Sequence, residues 1–301
     1  MKKVLVDANI LNEQNINKIL DSKIKDEIGK EYLLYGSDIL FKQTIAEQYT
    51  QGEKYYTFIL DFIKQYFENE LLASASDIVK REINSLFKDN NRFSICTKER
   101  LVKYIYVNKN LHSVIENSRK NKEIQNQNYR EFYHKVFNRI SKLKSNKEWE
   151  KYCYDFINEQ NFEVKYFINY LNSKKKYNRE IFKDMILIWW RYSLIAAAYN
   201  VILNQSAHIS IDKIMKIENE MPKDSFLATT LDLDVYKLEH DLFLQGGIDN
   251  DSVNDIQYIA LMRDFDILLT HDSSFMKKCF QRFYQDTNKQ ILDIDDFIKI
   301  E

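Results

Sequence analysis

The sequence is poor in the residues that interrupt regular structure. Its 301 residues include only five glycines and a single proline, Pro222. This scarcity argues against an architecture of many short strands joined by tight turns, and it favours long helices. It also leaves no GxxxxGK[ST] or GxGxxG motif, so the sequence offers no glycine-rich loop of the kind that cradles phosphate groups.

Cysteine and histidine are scarce as well. The three cysteines, Cys96, Cys153 and Cys279, lie far apart and form no CxxC pair. That usage is typical of reduced thiols in a cytoplasmic protein. The five histidines show no metal-ligand spacing, and we find no serine or cysteine nucleophile motif. Cysteine and histidine therefore supply no candidate metal ligands or nucleophile.

Long apolar segments are few. The apolar stretch before Asp7 is too short for a signal peptide. The most apolar segment, residues 185–203, is interrupted by Arg191 and Asn200. Because a central arginine is costly in lipid, we interpret this segment as a buried helix and expect no membrane partner.

Charge is distributed unevenly, although the net charge of −1 identifies no partner. Residues 98–151 contain 14 Lys/Arg and 6 Asp/Glu, whereas residues 211–301 contain 10 and 19. Such asymmetry is typical of a chain with one polyanion-binding part and one metal-binding part. Solvated helix faces that differ in charge would explain the basic stretch equally well.

Short apolar segments near both ends of the chain predict strands. They lie at residues 3–6, 71–75 and 266–272, and residues 290–300 predict a last edge strand followed by a helical turn. Apolar residues at helical spacing predict the helices between them, over residues 15–35, 38–69, 76–87 and 251–265. Strands alternating with helices are typical of an α/β fold with a parallel sheet.

The middle of the chain contains no convincing strand. It predicts an all-helical insertion at 98–222, rich in Tyr, Phe, Lys and Asn, which divides a core made of residues 1–97 and 223–301. The helical patterns within this part run over residues 98–118, 122–144, 147–172, 177–204 and 211–219.

Acidic residues follow two of the predicted strands. Asp7 follows the first strand, and Asp272 occupies the same position relative to "ILLT", residues 267–270. Ligands of parallel sheets gather at the carboxyl ends of the strands, so these two acids point to a site there. Carboxylates held close together repel one another, and a hard divalent cation such as Mg²⁺ or Mn²⁺ balances them.

Each acid also has a plain structural interpretation. Asp7 is equally suited to cap the following helix. Ser252 and Asp255 fit a capping box, and Glu82 on an amphipathic helix fits a solvated side chain. From the residues alone these alternatives stay open.

The acids occur in an order that resembles the PIN-domain nucleases. "VLVDANIL" (residues 4–11) resembles the first motif of that family, a strand followed by Asp-x-Asn. "SDIVKREI" (76–83) resembles the second motif, and residues 254–275 resemble the third and fourth. The resemblance covers residues 1–95 and 225–301 and leaves out the helical middle.

This resemblance implies a three-layer PIN-like core with a short parallel sheet and a metal-dependent endoribonuclease. Asp7, Glu82, Asp255 and Asp272 would hold Mg²⁺ or Mn²⁺, and Asn9 and Thr270 would orient them. Metal-bound water would hydrolyse the phosphodiester and leave a 5′-phosphate and a 3′-hydroxyl. Three further acids are weaker candidates for the site. Glu47 is the alternative to Glu82, and Asp249 and Asp251 lie in a Gly-Asn-Asp loop that favours turn or cap residues.

The basic helical middle would hold the RNA, with lysine and arginine on phosphates and aromatic rings on bases. The candidate RNA-binding residues are Arg119, Lys120, Arg130, Arg139, Lys142 and Lys144. The insertion would alternatively bind a protein partner or a second copy of the chain. Two other functions stay open, a catalytically inactive RNA- or protein-binding module and a DNA-directed 5′-nuclease. The family serves toxin–antitoxin systems, phage defence and RNA processing.

Overall fold

The computed structural model describes most of the chain. The described residues are 1–37, 40, 53–68, 75–86, 111–160, 163–203, 209–244, 252–271 and 275–300. By its internal contacts the chain divides into two units. Unit 1 comprises Met1–Ile78, Arg92–Ile124 and Asp251–Glu301, and unit 2 comprises Val79–Asn91 and Gln125–Asn250.

The described strands form a four-stranded parallel sheet in unit 1. They are β1 (Lys2–Val6), β2 (Tyr32–Tyr35), β3 (Ile267–Leu269) and β4 (Gln290–Leu292), in the order β2-β1-β3-β4. Val4 pairs with Leu34 on one side and with Ile267 on the other. The central strands are apolar throughout their buried part, because both faces of a parallel sheet are covered. The predicted α/β class with a short parallel sheet is confirmed.

The described helices account for most of the remaining chain. In chain order they are α1 (Glu13–Asp21), α2 (Ile24–Glu27), α3 (Glu53–Tyr66), α4 (Ala75–Leu86), α5 (Leu111–Ile140), α6 (Asn146–Gln160), α7 (Val164–Asn172), α8 (Arg179–Leu203), α9 (Ile211–Glu220), α10 (Phe226–Glu239), α11 (Ser252–Leu261), α12 (Phe275–Tyr284) and α13 (Ile294–Phe297). Two 3₁₀ turns, Ala8–Ile10 and Met262–Asp264, and a π-helical turn, His240–Leu244, complete the set.

Strand β2 is the main error of the sequence prediction in unit 1. Residues 15–35 were expected to be helical, but α1 ends at Asp21 and the chain enters β2 after Gly29, whose φ is 86°. Tyr32 and Leu34 are buried, and the Tyr32 ring packs edge-on against Phe297 at 5.4 Å between centroids. Pairing with β1 and this packing override the helical spacing, since strand formation depends on context.

The other predicted strands have mixed outcomes. Strands β1, β3 and β4 lie where the apolar segments predicted them, β4 is an edge strand, and α13 is the helical turn after it. Residues 71–74 of the remaining predicted strand lie outside the described residues, and Ala75 begins helix α4.

Unit 2 is helical in its described part. An aromatic core joins α5, α6, α7 and α8 around Phe156, Phe167, Phe182 and Trp189. A second, aliphatic core joins the end of α4 to α8, α9 and α10 around Ile83 and other residues. Large aromatic side chains supply much buried apolar area, which stabilises a bundle of this size.

The helix boundaries in unit 2 correct the prediction in two places. Residues 119–121 contain no helix breaker, and α5 runs unbroken through the expected gap between 118 and 122. The pattern over 147–172 is divided into α6 and α7, and Glu163 before α7 has φ 47°, which a continuous α-helix does not allow. The segments at 177–204 and 211–219 are confirmed within one or two residues as α8 and α9.

Unit 2 is also larger than the predicted insertion. It comprises Val79–Asn91 and Gln125–Asn250, so it extends beyond both ends of the insertion expected over 98–222 but leaves residues 98–124 in unit 1. Helix α10 belongs to unit 2 because it packs against α8. The division into a nuclease core and an insertion stays a prediction.

Helix α8 contains the most apolar segment of the chain. Met185 and Ile186 are fully buried. The Arg191 guanidinium lies on the same helix and donates from Nε to Oε1 of Glu218 at 2.8 Å. Within the described ranges, no helix is long and apolar enough to cross a membrane.

Candidate active site at the carboxyl edge of the sheet

Asp7 lies directly after the central strand β1. Its amide donates to the Leu269 carbonyl at 3.0 Å, which extends the pairing of β1 with β3 by one residue. The side chain is only 6% exposed and makes no capping hydrogen bond to the 3₁₀ turn that follows. Helix α1 is capped instead by Asn12, whose Oδ1 accepts from the Asn15 amide at 2.9 Å. The capping interpretation of Asp7 is therefore wrong.

Thr270 and Asn9 hold the Asp7 carboxylate. Thr270 follows β3, is 1% exposed, and donates from Oγ1 to Asp7 Oδ2 at 2.7 Å. Asn9 donates from Nδ2 to that threonine hydroxyl at 3.2 Å, and its Oδ1 accepts from the amide of His271 at 3.1 Å. Two neighbouring parallel strands thus deliver a hydrogen-bonded chain, Asn9 to Thr270 to Asp7, to one edge of the sheet.

This chain fixes the orientation of a buried carboxylate. The threonine hydroxyl has one proton, and because Asn9 donates to its oxygen, that proton is directed toward Asp7. Burial of a carboxylate is costly unless hydrogen bonds or a cation compensate it. The arrangement resembles a supporting shell that positions an oxygen ligand, and carboxylate oxygens are the donors that Mg²⁺ and Mn²⁺ prefer.

Among the described acids of unit 1, Asp255 is buried as well as Asp7. It lies in the first turn of α11 and is 7% exposed. Ile256, Ile259 and Ala260 are buried along the same helix, as their spacing predicts. The hydroxyl of Tyr284, at the end of α12, donates to the Ile259 carbonyl at 2.9 Å and so links α12 to α11. An acid in the first turn is favoured by the positive end of the helix dipole.

Glu82 makes contacts that the sequence did not predict. It lies on α4 in unit 2, and its Oε1 accepts from the Phe226 amide at 2.8 Å while its Oε2 accepts from the Leu227 amide at 2.7 Å. Both oxygens therefore cap the amino terminus of α10. The participation of Glu82 in an acidic metal site stays a prediction, and these contacts give it a structural role in unit 2.

Several predicted acids have no described position. Asp272, Glu47, Asp249 and Asp251 lie outside the described residues. Within the described part, no group of three or more His, Cys, Asp or Glu side chains is arranged to hold a metal ion. The described acids of the predicted set in unit 1 are Asp7 and Asp255.

The candidate RNA-binding residues occupy α5 and the loop after it. Arg119 lies on α5, and the exposed members of the set are Lys120, Arg130, Arg139, Lys142 and Lys144. The Arg139 guanidinium lies 5.9 Å from the centre of the Tyr152 ring, a cation–π contact between α5 and α6. Exposed cations beside aromatic rings are compatible with binding a polyanion.

A buried polar cluster in unit 2 was not anticipated from the sequence. The Asp241 carboxylate is fully buried, and its Oδ2 accepts from the Tyr129 hydroxyl at 2.8 Å and from Lys237 Nζ at 2.7 Å. His240 Nδ1 lies 3.5 Å from the other oxygen. Burial and the neighbouring carboxylate raise the pKa of Tyr129 far above its usual range. The only sequence signal was the i, i+4 spacing of Lys237 and Asp241.

Comparison with known proteins gives no family for this chain. No protein-family model matches it, and neither a curated protein nor a solved structure gives a significant match. The functional argument therefore depends on the residues and their geometry.

Proposed function

We propose that this chain is a metal-dependent nuclease. Within that class we propose a PIN-type endoribonuclease that acts in the cytoplasm, with RNA as its substrate. The observation that carries the proposal is the Asp7 carboxylate, buried at the carboxyl edge of a parallel sheet and oriented by Thr270 and Asn9. These are the residues that the resemblance to the family assigns to that edge.

Asp7, Asp255 and Asp272 would hold Mg²⁺ or Mn²⁺ through their carboxylate oxygens. A bound divalent ion supplies charge neutralisation at the phosphate and lowers the pKa of a water ligand. Thr270 keeps the Asp7 carboxylate in one orientation through the 2.7 Å hydrogen bond, and Asn9 keeps the threonine hydroxyl in the matching rotamer. Because Glu82 caps α10 with both oxygens, Glu47 is the alternative fourth acid.

An inactive RNA- or protein-binding module is the second candidate function. It is favoured by the contacts of Glu82, since a carboxylate engaged by two backbone amides is poorly suited to bind a metal as well. In this case the fold is retained, the acidic set is incomplete, and unit 2 recognises the partner.

Cleavage and metal binding by matched variants test the proposal. Wild type, Asp7→Asn and Asp272→Asn are incubated with single-stranded RNA in Mg²⁺ or Mn²⁺ and, separately, in chelator. We expect wild type to cut only with the ion, and each variant to be slower by about a hundredfold or more. Asp21→Asn, an exposed aspartate on α1, is the control and should cut at the wild-type rate.

Two outcomes would reject the proposed activity. Cleavage by both variants at the wild-type rate rules out this site. A wild-type protein that cuts nothing and gives no heat on titration with Mn²⁺ favours the binding module. Flapped DNA serves as a parallel substrate, and faster cleavage of DNA than of RNA would assign the protein to the DNA-directed 5′-nucleases.

A further inference from the structure

One end of the helical bundle in unit 2 concentrates positive charge. It is built from the loop between α5 and α6 and the loop between α7 and α8. Residues 139–151 and 173–180 contain nine Lys/Arg and three acids, a balance of +6. We call six of these residues the lysine end: Lys142, Lys144, Lys147, Lys174, Lys175 and Lys176.

Hydrogen bonds hold the two loops against each other. The Tyr177 amide donates to Asn146 Oδ1 at 2.6 Å, which joins the start of α6 to the α7–α8 loop. The Tyr154 hydroxyl donates to Asn172 Oδ1 at 2.6 Å, which joins α6 to the end of α7. Since each lysine of the set is within four residues of Asn146 or within three of Tyr177, both groups lie at the same end of the bundle.

The lysine side chains are available for a partner. Five of the six are exposed, and Lys174 is half-buried with its Nζ 4.2 Å from the centre of the Tyr170 ring. With respect to the described residues, none of the six ammonium groups makes an ion pair within 4.0 Å. The nearby lysines Lys135 and Lys183, in contrast, each bind a glutamate.

The three acids at this end leave the lysines uncompensated. Glu148 is engaged locally, because its Oε2 accepts from the amides of Lys144 and Ser145, both at 2.9 Å. These bonds lower the pKa of Glu148 and keep it ionised as a cap of α6. Glu180 binds Lys183 at 3.1 Å, away from the set, and Glu150 is in no described ion pair. Two helices begin and two end here, so their dipoles offset one another and the positive charge of this end comes from its side chains.

We infer that the lysine end binds the phosphate backbone of single-stranded RNA. Several mobile ammonium groups without acidic partners suit phosphates, which they can neutralise with release of counterions. The large apolar side chains that the described structure exposes, Met1, Ile124 and Leu244, do not belong to this end, so it lacks groups that would insert into a bilayer. The choice of RNA rests on the proposed function, and Lys147 and Lys174–Lys176 extend the set predicted from the sequence.

Two triple variants and a matched control test this inference. The first replaces Lys174, Lys175 and Lys176 by glutamine, and the second replaces Lys142, Lys144 and Lys147. The control replaces three exposed lysines of unit 2, Lys165, Lys216 and Lys223, by glutamine and loses the same charge. Binding of a fluorescently labelled single-stranded RNA is measured by anisotropy in chelator, so that no cleavage is required.

We expect each lysine-end variant to bind RNA about tenfold or more weakly at low salt. The slope of log Kd against log salt concentration should fall by about 2, because about 0.7 of an ion is released per phosphate contact on a single strand. The control should keep the wild-type Kd within twofold. Equal losses in all three variants would overturn the inference, since net charge alone would explain them, and so would no loss in any.

Two further results separate this inference from its alternatives. Wild type that binds anionic lipid vesicles through these lysines, and binds no RNA, overturns it in favour of a membrane surface. Failure of the nuclease proposal has a different signature, in which RNA binding and its loss in the variants persist while no RNA is cut. If the nuclease proposal holds, the lysine-end variants should raise KM more than they lower kcat.

Discussion

Replacement of Glu82 separates a helix cap from a metal ligand. In unit 2 this carboxylate accepts from the Phe226 and Leu227 amides at 2.8 and 2.7 Å. The next amide of α10, that of Ala228, is bound by Ser225 Oγ at 3.0 Å. Each of these first amides would otherwise lack a partner, because the first turn of a helix has no intrahelical acceptors. Glu82 therefore completes the capping of α10.

The expected loss in the free energy of unfolding follows from the hydrogen bond that Glu82→Gln removes. A glutamine side chain retains one acceptor oxygen and presents an amide group to a backbone donor, so one of the two bonds is lost. A hydrogen bond to a charged group contributes about 1.5–3 kcal/mol, and an anion at a helix amino terminus contributes about 0.3–2 kcal/mol. We expect Glu82→Gln to lower the free energy of unfolding by about 2 kcal/mol and Glu82→Ala by about 3 kcal/mol.

Urea denaturation followed by circular dichroism measures this loss. Glu220→Gln is the control, since Glu220 is exposed near the end of α9, and it should change the free energy of unfolding by less than about 0.5 kcal/mol. Titration with Mn²⁺ is run on the same samples. Glu82→Gln that unfolds at the wild-type midpoint refutes the capping argument. If that variant also loses Mn²⁺ binding, Glu82 is a metal ligand.

Three further perturbations test other parts of the structure. Burial raises the pKa of Asp234 from 3.8 to about 7, so the unfolded chain ionises first and stability falls as pH rises between these values. Relative to wild type, Asp234→Asn should gain up to about 4 kcal/mol between pH 4 and pH 8, and equal pH dependence of the two proteins in urea titrations would contradict this. Thr270→Val removes the donor to Asp7 and should lower the free energy of unfolding by about 1–3 kcal/mol in urea denaturation. It should also weaken the affinity for Mn²⁺ by about 10–100-fold. If both quantities are unchanged, Thr270 does not orient Asp7. Tyr129→Phe removes a donor to the fully buried Asp241 and should cost about 1–3 kcal/mol, whereas an unchanged midpoint would show that this bond contributes nothing net.

The sheet was largely predictable because its strands carry local signals. β1 and β3 are short apolar runs that end in polar residues, and they occupy the predicted positions. β2 was missed because Tyr32–Tyr35 continues a helical spacing, and only its partners in space make it a strand. The end of α6 was missed for the same reason as β2, because no residue in the local sequence marks it.

The candidate site was predictable where strand order determines position. Asp7, Asn9 and Thr270 meet because adjacent parallel strands end at one edge of the sheet. The environment of Glu82 was not predictable, since it depends on a helix that begins 144 residues later. The buried cluster around Asp241 was also hidden, because the Tyr129 hydroxyl reaches it from 112 residues away.

The pairing of β1 with β3 has a consequence for synthesis on the ribosome. Val4 and Ile267 are neighbours in the sheet, but 263 residues separate them in the chain. At about 5–20 residues per second, the amino-terminal strand emerges roughly 13–50 s before its partner. During that interval Asp7 has no Thr270 to orient it. A nascent chain therefore carries an incomplete candidate site, and the emergence of β3 sets the earliest moment at which the proposed activity could begin.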